Sequence, residues 1–327
     1  MTYDRHVVLS DTMPSRLGGT IPKHAQGTFG SYNLATLTEP IHVRTLLGKK
    51  GFETSLVCLR SVIEYSADPL RLVVHEDGSL TDAHRDALRG IDPQVEFVSR
   101  VLADEVVETL LEKHPRCLSA RRSGLLFLKL FDITLLCPGP LAYVDSDVFF
   151  LRRNAGLFRQ SADGRAKFMS DINHAYAVRP WRVWPVNSVR LAGLVNTGLI
   201  VGWRVGLDLD FLEWLLGRLA GDTAYARRAW WAEQTCWAAL AARTECALFD
   251  PDSVILASTD MREYHPAVVA IHFVSTYRDR LALFLDRQRS RHESAIEVQL
   301  NQITRVSAAG LLWADFGRRL RTRPANL

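Results

Sequence analysis

Apolar and polar positions along the chain form short apolar runs that are separated by longer amphipathic segments. An apolar run predicts a strand at Ile41–Leu47, and a second run predicts one at 70–74. Between them, Phe52–Tyr65 has Leu56, Leu59, Val62 and Ile63 at helical spacing. A strand, a helix and a strand in this order are typical of a sheet with parallel strands.

The same pattern continues to about residue 278. Helices are predicted at 81–91, 104–113, 123–136, 207–219 and 229–242, and strands at 95–98, Leu141–Val144, 164–170, 194–203 and 268–273. We therefore predict an α/β fold: a single domain over 40–278 whose mixed, mainly parallel central sheet is flanked by helices.

The two ends of the chain differ from this middle part. Residues 1–39 have no sustained period, which predicts an irregular leader with one short strand at 7–9. Residues 279–327 predict a C-terminal helical extension packed on the domain, because apolar residues recur there at helical spacing. They are Leu281, Leu285, Ile296, Leu300, Ile303, Leu312 and Phe316. These helices also offer a surface for homo-oligomer formation.

Composition and charge exclude several classes of protein. The 327 residues are 47% hydrophobic and 23% charged, which is ordinary for a globular domain with a sizeable core. The net charge of +4 is small, and the basic residues cluster only at 318–323. Because that cluster is short and has no aromatic residues, we expect a solvated tail and no nucleic-acid partner.

Cysteine content and hydropathy indicate the compartment. Five cysteines without a Cys-x-x-Cys pair argue against a disulfide framework and against structural zinc. No apolar stretch reaches the roughly 18 residues that a membrane helix needs, and the first residues lack a signal-peptide core. We expect a cytoplasmic protein without a transmembrane segment.

Two carboxylates interrupt the apolar run 141–151. Asp145 and Asp147 follow the predicted strand Leu141–Val144, so they lie at its C-terminal end, where open α/β sheets bind ligands. Hard oxygen ligands at such an edge suit a divalent cation that also binds substrate phosphates. The alternative is that these residues cap a helix or form a turn. Both carboxylates would be costly to bury without a charge partner. The triplet alone would favour the cap or turn, and we prefer the metal site because of the residues that surround it.

Other candidate ligand contacts are ambiguous when taken singly. Lys129 lies among leucines in a predicted helix, where it either extends to the surface or points its ammonium into the cleft. Asp77 follows the second strand and is either a nucleoside contact or a simple turn residue. Asn196 and Gly198 lie in a buried strand, where a ligand approach and a bulge both explain the glycine. His272 ends the last predicted strand, and a lone histidine there is usually structural.

Tryptophans form a further group. Trp181 and Trp184 lie in a proline-rich loop, and Trp230 and Trp231 precede a predicted helix. Such residues either stack on a sugar or pin a loop to the core. Any of the four is a candidate to line an acceptor cleft, whatever kind of acceptor enters it.

The order of these motifs is more informative than any one of them. Leu-Lys-Leu at Lys129, Tyr-Val-Asp-Ser-Asp, Asn-Thr-Gly-Leu-Ile, Glu-Gln-Thr and Ile-His-Phe follow one another along the chain. This sequence resembles the GT-A-fold glycosyltransferases, most nearly the retaining group of glycogenin and the lipopolysaccharide galactosyltransferases. The resemblance spans about residues 41–278 and implies a GT-A, Rossmann-like domain. The chain departs from the group in lacking a Lys-Pro-Trp ending.

The resemblance also implies roles for named residues. Asp145, Asp147 and His272 would bind Mn²⁺ or Mg²⁺, which bridges the diphosphate of a nucleotide sugar, with a UDP-sugar favoured. Lys129 and Arg278 would hold the phosphates, Arg278 standing where the group usually has a lysine. The sugar and the acceptor, whose identity is open, would be lined by Asn196, Asp171, Glu233 and Gln234. We add Asp77 and Ser146 to the candidate donor contacts.

The resemblance suggests that the configuration of the sugar is retained. In that case the departing phosphate oxygen takes the acceptor proton and Gln234 lies beside the reactive face. If the configuration inverts, Asp171 or Glu233 must act as the base. Two other functions stay open. A sugar-phosphate nucleotidyltransferase would need a glycine-rich basic loop after the first strand, which 47–51 imitates only faintly. A non-catalytic carbohydrate-binding protein would have no need of so many charged groups at one place.

Overall fold

The computed structural model describes residues 39–177, 190–203, 207–220, 229–258, 267–290, 292–307, 309–311 and 313. Four predictions lie outside these residues. They are the leader with its strand at 7–9, the loop with Trp181 and Trp184, the apolar positions Leu312 and Phe316, and the basic cluster at 318–323.

Seven α-helices and two 3₁₀-helices lie in the described part of the chain. The α-helices are α1 (Phe52–Tyr65), α2 (Asp82–Arg89), α3 (Arg100–Leu110), α4 (Pro115–Ser123), α5 (Leu126–Leu135), α6 (Leu209–Ala220) and α7 (Ala232–Ala241). The 3₁₀-helices are Ala229–Trp231 and Ser275–Arg287.

The strands form one large sheet and three small ones. In chain order they are β1 (Ile41–Leu47), β2 (Leu70–Glu76), β3 (Glu96–Val98), β4 (Leu141–Val144), β5 (Val148–Phe150), β6 (Asn154–Ala155), β7 (Ala166–Ser170), β8 (Leu191–Ala192), β9 (Val195–Trp203), β10 (Cys246–Phe249), β11 (Val254–Leu256), β12 (Ala270–His272), β13 (Ile296–Glu297), β14 (Leu300–Gln302) and β15 (Arg305–Val306). The main sheet has the order β14-β10-β7-β9-β4-β1-β2-β3.

The main sheet is mixed and mainly parallel, as the sequence predicts. Strands β4, β1, β2 and β3 run parallel, and β10 runs parallel to β7. Strand β9 is antiparallel to both of its neighbours, and β14 is antiparallel at one edge. Helices cover both faces, so the α/β prediction is confirmed.

Burial on both faces explains why β4 has no alternation of apolar and polar residues. Leu141 and Tyr143 pack in one core cluster with α5, α6 and α7. Ala142 and Val144 point to the opposite cluster, which includes residues of α1 and β2. A strand that is covered on both sides must be apolar throughout, and a continuous apolar run at 141–144 is the result.

A three-stranded sheet, in the order β11-β12-β5, lies beside the end of β4. Strand β5 begins directly after Asp147, and β12 pairs with it in antiparallel fashion, so that His272 lies opposite Val148. Its far side packs on the 3₁₀-helix Ser275–Arg287 through a cluster that includes Phe149, Phe273 and Leu281. This small sheet joins distant parts of the sequence at one edge of the main sheet.

The predicted C-terminal helical extension is wrong for residues 279–307. The helix there is of the 3₁₀ type and ends at Arg287, and the rest forms short strands. Strand β14 pairs with the edge strand β10, and β13 and β15 pair with β6 and β8. Unpaired backbone groups at the sheet edges accept these segments, and the spacing of Ile296, Leu300 and Ile303 does not distinguish a helix from short strands. The predicted surface for homo-oligomer formation therefore has a 3₁₀-helix up to Arg287 and no helix over the described residues of 288–307.

Two local features also differ from the prediction. Helix α4, which was not predicted, begins at Pro115, because proline suits the first turn where no N–H bond is needed. Helix α3 begins earlier than predicted, since the hydroxyl of Ser99 accepts a hydrogen bond from the N–H of Leu102 and caps it. Strands β5, β10 and β11 were not predicted, since three or four apolar residues are too few to show a period.

Every helix in the described residues is too short or too polar to cross a membrane. All five cysteines are free thiols. The absence of disulfide bonds agrees with the expectation from cysteine spacing.

Candidate functional site

The two carboxylates of the Asp-Ser-Asp segment stand at the junction between two sheets. Asp145 follows the last residue of β4, and its N–H donates to the carbonyl of Gly198 at 2.8 Å. Its own carbonyl accepts from the N–H of Val148 at 3.1 Å, which closes a tight turn into β5. Asp145 therefore leaves the main sheet at the residue where the chain turns to enter the small one, and Asp147 follows within the same turn.

His272 joins the carboxylates through the pairing of β12 with β5. The N–H of Phe273 donates to the carbonyl of Asp147 at 2.9 Å, which fixes the register of the two strands at this point. One ligand atom each from Asp145, Asp147 and His272 then lie within 4.8 Å of one another. The structure thus brings together the three residues that the sequence suggested for metal binding.

The hydrogen bonds of Asn196 fix the tautomer of His272. The amide nitrogen of Asn196 donates to Asp171 Oδ2 at 3.1 Å, and its oxygen accepts the N–H of Gly198 at 2.9 Å. The same oxygen lies 3.1 Å from His272 Nδ1. Because an amide oxygen only accepts, Nδ1 carries the hydrogen, and Nε2 is the atom that faces the carboxylates.

Gly198 makes room for the imidazole ring. A Cβ atom on this residue would lie 2.4 Å from His272 Nδ1 and 2.6 Å from Cε1. Any side chain at this position would displace the ring. The register of β9 against β7 also shifts here, between the pairs Phe168–Ile200 and Met169–Asn196, so the glycine lies in a strand irregularity, and the group that approaches it is a side chain of the site itself.

Arg278 is one of the two cations that balance the carboxylates, and Lys129 is the other. The guanidinium of Arg278 donates to Asp147 Oδ2 from Nε at 2.9 Å and from Nη2 at 2.7 Å. Burial of Asp147 works to raise the pKa of its carboxyl, but His272 and Arg278 outweigh burial and hold the pKa below its usual range. The side chain of Arg278 is 47% exposed, so the guanidinium borders on solvent while it binds a buried carboxylate.

Lys129 points into the site and not to the surface. Its Nζ lies 3.1 Å from Asp145 Oδ2, 3.4 Å from the carbonyl of Thr197 and 3.7 Å from Glu233 Oε2. Burial alone would lower the pKa of this ammonium, but Asp145 and Glu233 raise it, so the lysine is charged. The surface alternative is thereby excluded, because the ammonium lies among carboxylates inside the protein.

Glu233 is a buried carboxyl with one free oxygen. It is 2% exposed, Oε2 accepts from the hydroxyl of Thr197 at 3.2 Å, and Oε1 has no hydrogen-bond partner among the described residues. Burial raises its pKa to about 7, although Lys129 acts in the opposite direction. A buried carboxyl oxygen without a partner is costly unless a further group binds there.

Asp171 and Gln234 form a second polar group next to Asn196. Gln234 Nε2 donates to Asp171 Oδ2 and to the carbonyl of Ala175, each at 3.2 Å. The other oxygen of Asp171 accepts the N–H of Asn173 at 3.0 Å. Both oxygens of Asp171 are therefore occupied, and this carboxylate is well placed to hold Asn196 and Gln234 in position.

The remaining candidates, Asp77 and Ser146, lie after the ends of β2 and β4. Asp77 Oδ1 accepts from the N–H of Ser79 at 2.8 Å and from its hydroxyl at 2.5 Å, which is the geometry of a turn. A Cβ atom on Gly48 would meet Asp77 Oδ2 at 2.0 Å, so Gly48 allows β1 and the turn to approach closely. Ser146 bonds to the hydroxyl of Ser55 at 3.2 Å.

The segment after β1 does not have the features of a nucleotidyltransferase loop. The N–H of Lys49 donates to the hydroxyl of Ser79 at 2.8 Å and is not free to bind a phosphate. The 47–51 segment, which faintly resembles such a loop, therefore forms a turn. It contributes no residue to the cluster around Asp145 and Asp147.

Sequence reasoning missed two residues of the site. Tyr143 donates its hydroxyl hydrogen to Asp145 Oδ1, and Thr197 contributes both a carbonyl to Lys129 and a hydroxyl to Glu233. Tyr143 precedes Asp145 by two residues, and alternate residues of a strand share a face. The two-residue spacing could have indicated that Tyr143 contacts Asp145. A tyrosine within an apolar run is, however, normally interpreted as a core residue.

The chain has distant structural matches among known proteins. No protein-family model matches the sequence, and no curated protein matches it either. Among solved structures, mouse xyloside xylosyltransferase 1 in its apo form matches with a TM-score of 0.45 at 13% identity, over 72% of this chain and 97% of that one. The galactosyltransferase LgtC, in complex with donor and acceptor sugar analogues, matches with a TM-score of 0.43 at 13% identity, over 76% and 97%.

A third match is the apo form of the glycosyltransferase GlyE from Streptococcus pneumoniae TIGR4. Its TM-score is 0.43 at 8% identity, over 73% of this chain and 55% of that one. Sequence identities of 8–13% do not transfer a function to this chain, so its own side chains must indicate one.

Proposed function

We propose that this protein is a metal-dependent glycosyltransferase, which moves a sugar from a nucleotide-diphosphate sugar to an acceptor hydroxyl. The observation that carries the proposal is the cluster of Asp145, Asp147 and His272, whose ligand atoms lie within 4.8 Å of one another. Arg278 borders the same cluster with a half-exposed guanidinium. A cation and an arginine at one place suit the binding of a diphosphate.

The side chains of the cluster fit Mn²⁺ or Mg²⁺. Because Nδ1 of His272 donates to Asn196, the ring directs Nε2 towards Asp147 Oδ1, 3.0 Å away, and Asp145 Oδ2, 3.6 Å away. A ring nitrogen and carboxylate oxygens this close need a proton or a metal cation between them. Two carboxylate oxygens and one imidazole nitrogen are ligands that Mn²⁺ accepts readily, and Mg²⁺ would use mainly the carboxylates.

Each charged group then has a definite task. A divalent cation held by Asp145, Asp147 and His272 would neutralise charge on the diphosphate as it leaves. The guanidinium of Arg278 would bind phosphate oxygens with its fork of N–H groups. Lys129 would hold Asp145 in position and add positive charge near the leaving group. Asn196 would keep Nε2 of His272 directed at the cation.

We propose that the configuration of the sugar is retained. Gln234 has no group that can take a proton, and both oxygens of Asp171 accept hydrogen bonds. The acceptor proton would then pass to the departing phosphate oxygen. Glu233 would bind a sugar hydroxyl through its free Oε1. If Glu233 were instead the base of an inverting reaction, Glu233→Gln would lower kcat about 100-fold or more.

The donor and the compartment complete the proposal. A uridine nucleotide is favoured by the resemblance of the motifs, with Asp77 and Ser146 as contacts to the donor. A cytoplasmic location is supported by the free thiols of all five cysteines.

The test is a comparison of Asp147→Ala with wild type. We expect calorimetry of wild type with UDP and Mn²⁺ to give metal-dependent binding, and a panel of nucleotide sugars to give diphosphate release with at least one donor. Asp147→Ala should lose both while its circular dichroism stays unchanged. Asp252→Asn, which changes an exposed aspartate after β10, is the control. Full activity of Asp147→Ala, or of wild type in a chelator, would exclude the metal site, and wild type without any nucleotide binding would indicate a non-catalytic protein.

A further inference from the structure

A pair of stacked tryptophans lies at the start of the helix that carries Glu233 and Gln234. The rings of Trp230 and Trp231 are 5.5 Å apart between centroids, at 23° to each other. Trp230 is 59% exposed, whereas most large apolar side chains of the domain are buried. An indole this open to water leaves a flat apolar face free for a contact.

Trp231 anchors the pair to the protein. It is half-buried and packs against the core cluster below α7. Its carbonyl accepts a hydrogen bond from Thr235 Oγ1 at 2.7 Å, and Thr235 Oγ1 in turn accepts the N–H of Ala177 at 2.8 Å. The start of α7 is therefore fixed to the segment that follows Asp171. Trp230, stacked on an anchored neighbour, presents its ring as a supported flat surface.

Helical spacing places this surface beside the proposed transfer site. The 3₁₀-helix Ala229–Trp231 continues directly into α7, so Trp230 precedes Glu233 by three residues and Gln234 by four. Residues with these separations are neighbours on one face of a helix. Gln234 bonds to Asp171, and Asn173 two residues later is exposed. The helical spacing therefore makes the amide of Gln234 the polar neighbour of Trp230 on this helix.

We propose that Trp230 is the platform for a carbohydrate acceptor, whose sugar ring stacks on the indole while its reacting hydroxyl faces Gln234. A flat apolar ring supported from below suits the C–H face of a pyranose, and the amide beside it suits sugar hydroxyls. The acceptor is therefore a glycan or a simple glycoside, and not a serine or threonine of a protein. This inference rests on the proposed function, since it names the second substrate of the same site.

The test measures acceptor binding apart from donor binding. Binding of the methyl glycosides of glucose, galactose and xylose is followed by saturation-transfer NMR in the presence of UDP and Mn²⁺. We expect wild type to bind at least one glycoside, Trp230→Ala to weaken that binding at least tenfold, and Trp230→Phe to stay within about threefold of wild type, because a phenyl ring also stacks. Trp313→Ala, which removes a 73% exposed tryptophan elsewhere, should leave binding unchanged.

A second measurement separates this inference from the proposed function. Calorimetry with UDP and Mn²⁺ should give the same affinity for wild type and for all three variants, because Trp230 has no part in the donor site. Glycoside binding that is unaffected in Trp230→Ala, or absent in wild type, would overturn the platform, as would transfer to a serine-containing peptide that Trp230→Ala leaves unchanged. If wild type binds no nucleotide but still binds a glycoside in a way that depends on Trp230, only the proposed glycosyltransferase function is overturned.

Discussion

The Nδ1 atom of His272 and the amide oxygen of Asn196 lie 3.1 Å apart, and the same amide accepts the N–H of Gly198 and donates to Asp171. The consequence is a chain of fixed groups from Asp171 through Asn196 to the ring that faces the two carboxylates. Removal of Asp171 or Asn196 should disturb the metal site, although neither residue is one of its proposed ligands.

Substitution of Asn196 tests this chain. Asn196→Ala leaves His272 without the acceptor that fixes its tautomer, so we expect the affinity for Mn²⁺ to fall about 10- to 100-fold, as for other residues that orient a metal ligand. Titration of Mn²⁺ followed by electron paramagnetic resonance measures it. Asn301→Ala, in the exposed edge strand β14, is the control and should bind Mn²⁺ as wild type does. Equal affinity of the two variants would contradict the role of Asn196.

Gly198 allows a second test. A Cβ at this position would lie 2.4 Å from His272 Nδ1, so Gly198→Ala must displace the ring. We expect the free energy of unfolding to fall by about 1–3 kcal/mol, which is typical of overpacking, and the affinity for Mn²⁺ to fall with it. Urea denaturation measures the first effect. In Gly139→Ala, where nothing lies within 4 Å of the added Cβ, both quantities should remain near wild type.

The pKa of Glu233, raised by burial from 4.5 to about 7, predicts a pH dependence of stability. Between these values the folded state binds more protons at this carboxyl than the unfolded state does. The free energy of unfolding therefore falls as pH rises through this window, by at most about 1.4 kcal/mol per pH unit.

Glu233→Gln removes this contribution. We expect wild type to be most stable relative to the variant below pH 4.5 and to lose that advantage progressively up to pH 7 and beyond. Urea denaturation of both proteins at a series of pH values, without metal, gives the difference. If the free energies of unfolding of wild type and Glu233→Gln differ by a constant amount between pH 4.5 and pH 7, the pKa of the Glu233 carboxyl is not raised.

Arg121 and Arg122 form a matched pair for a test of stability. The side chain of Arg121 is fully buried and binds Asp132 at 2.6 Å and Asp104 at 2.7 Å, which ties α3, α4 and α5 together. Arg122 is 58% exposed and binds only Glu108 among the described residues. Arg121→Met leaves the buried carboxylate of Asp132 without its partner and should cost about 3–5 kcal/mol. Arg122→Met should cost less than about 1 kcal/mol. Thermal and urea denaturation of the two variants give these values, and similar losses would contradict the role of burial.

The sequence by itself determined most elements of the main sheet and the helices that cover it. Ile41–Leu47, Phe52–Tyr65 and Leu141–Val144 have the bounds that their patterns predicted. These elements are buried on one or both sides, so their apolar positions carry the period or the unbroken run that identifies them. The position of Asp145 and Asp147 at the end of a strand followed from the same pattern.

Only the tertiary structure decided which distant side chains meet and how the last part of the chain folds. His272 reaches Asp147 because β12 pairs with β5, a strand of three residues that shows no period in the sequence. The 296–306 segment forms strands because sheet edges were available to pair with it, and its spacing of apolar residues fits a helix equally well. The sequence predicted which residue types form the site and the order in which they follow one another along the chain. Their contacts depend on non-local pairing, which one sequence does not encode in any local pattern.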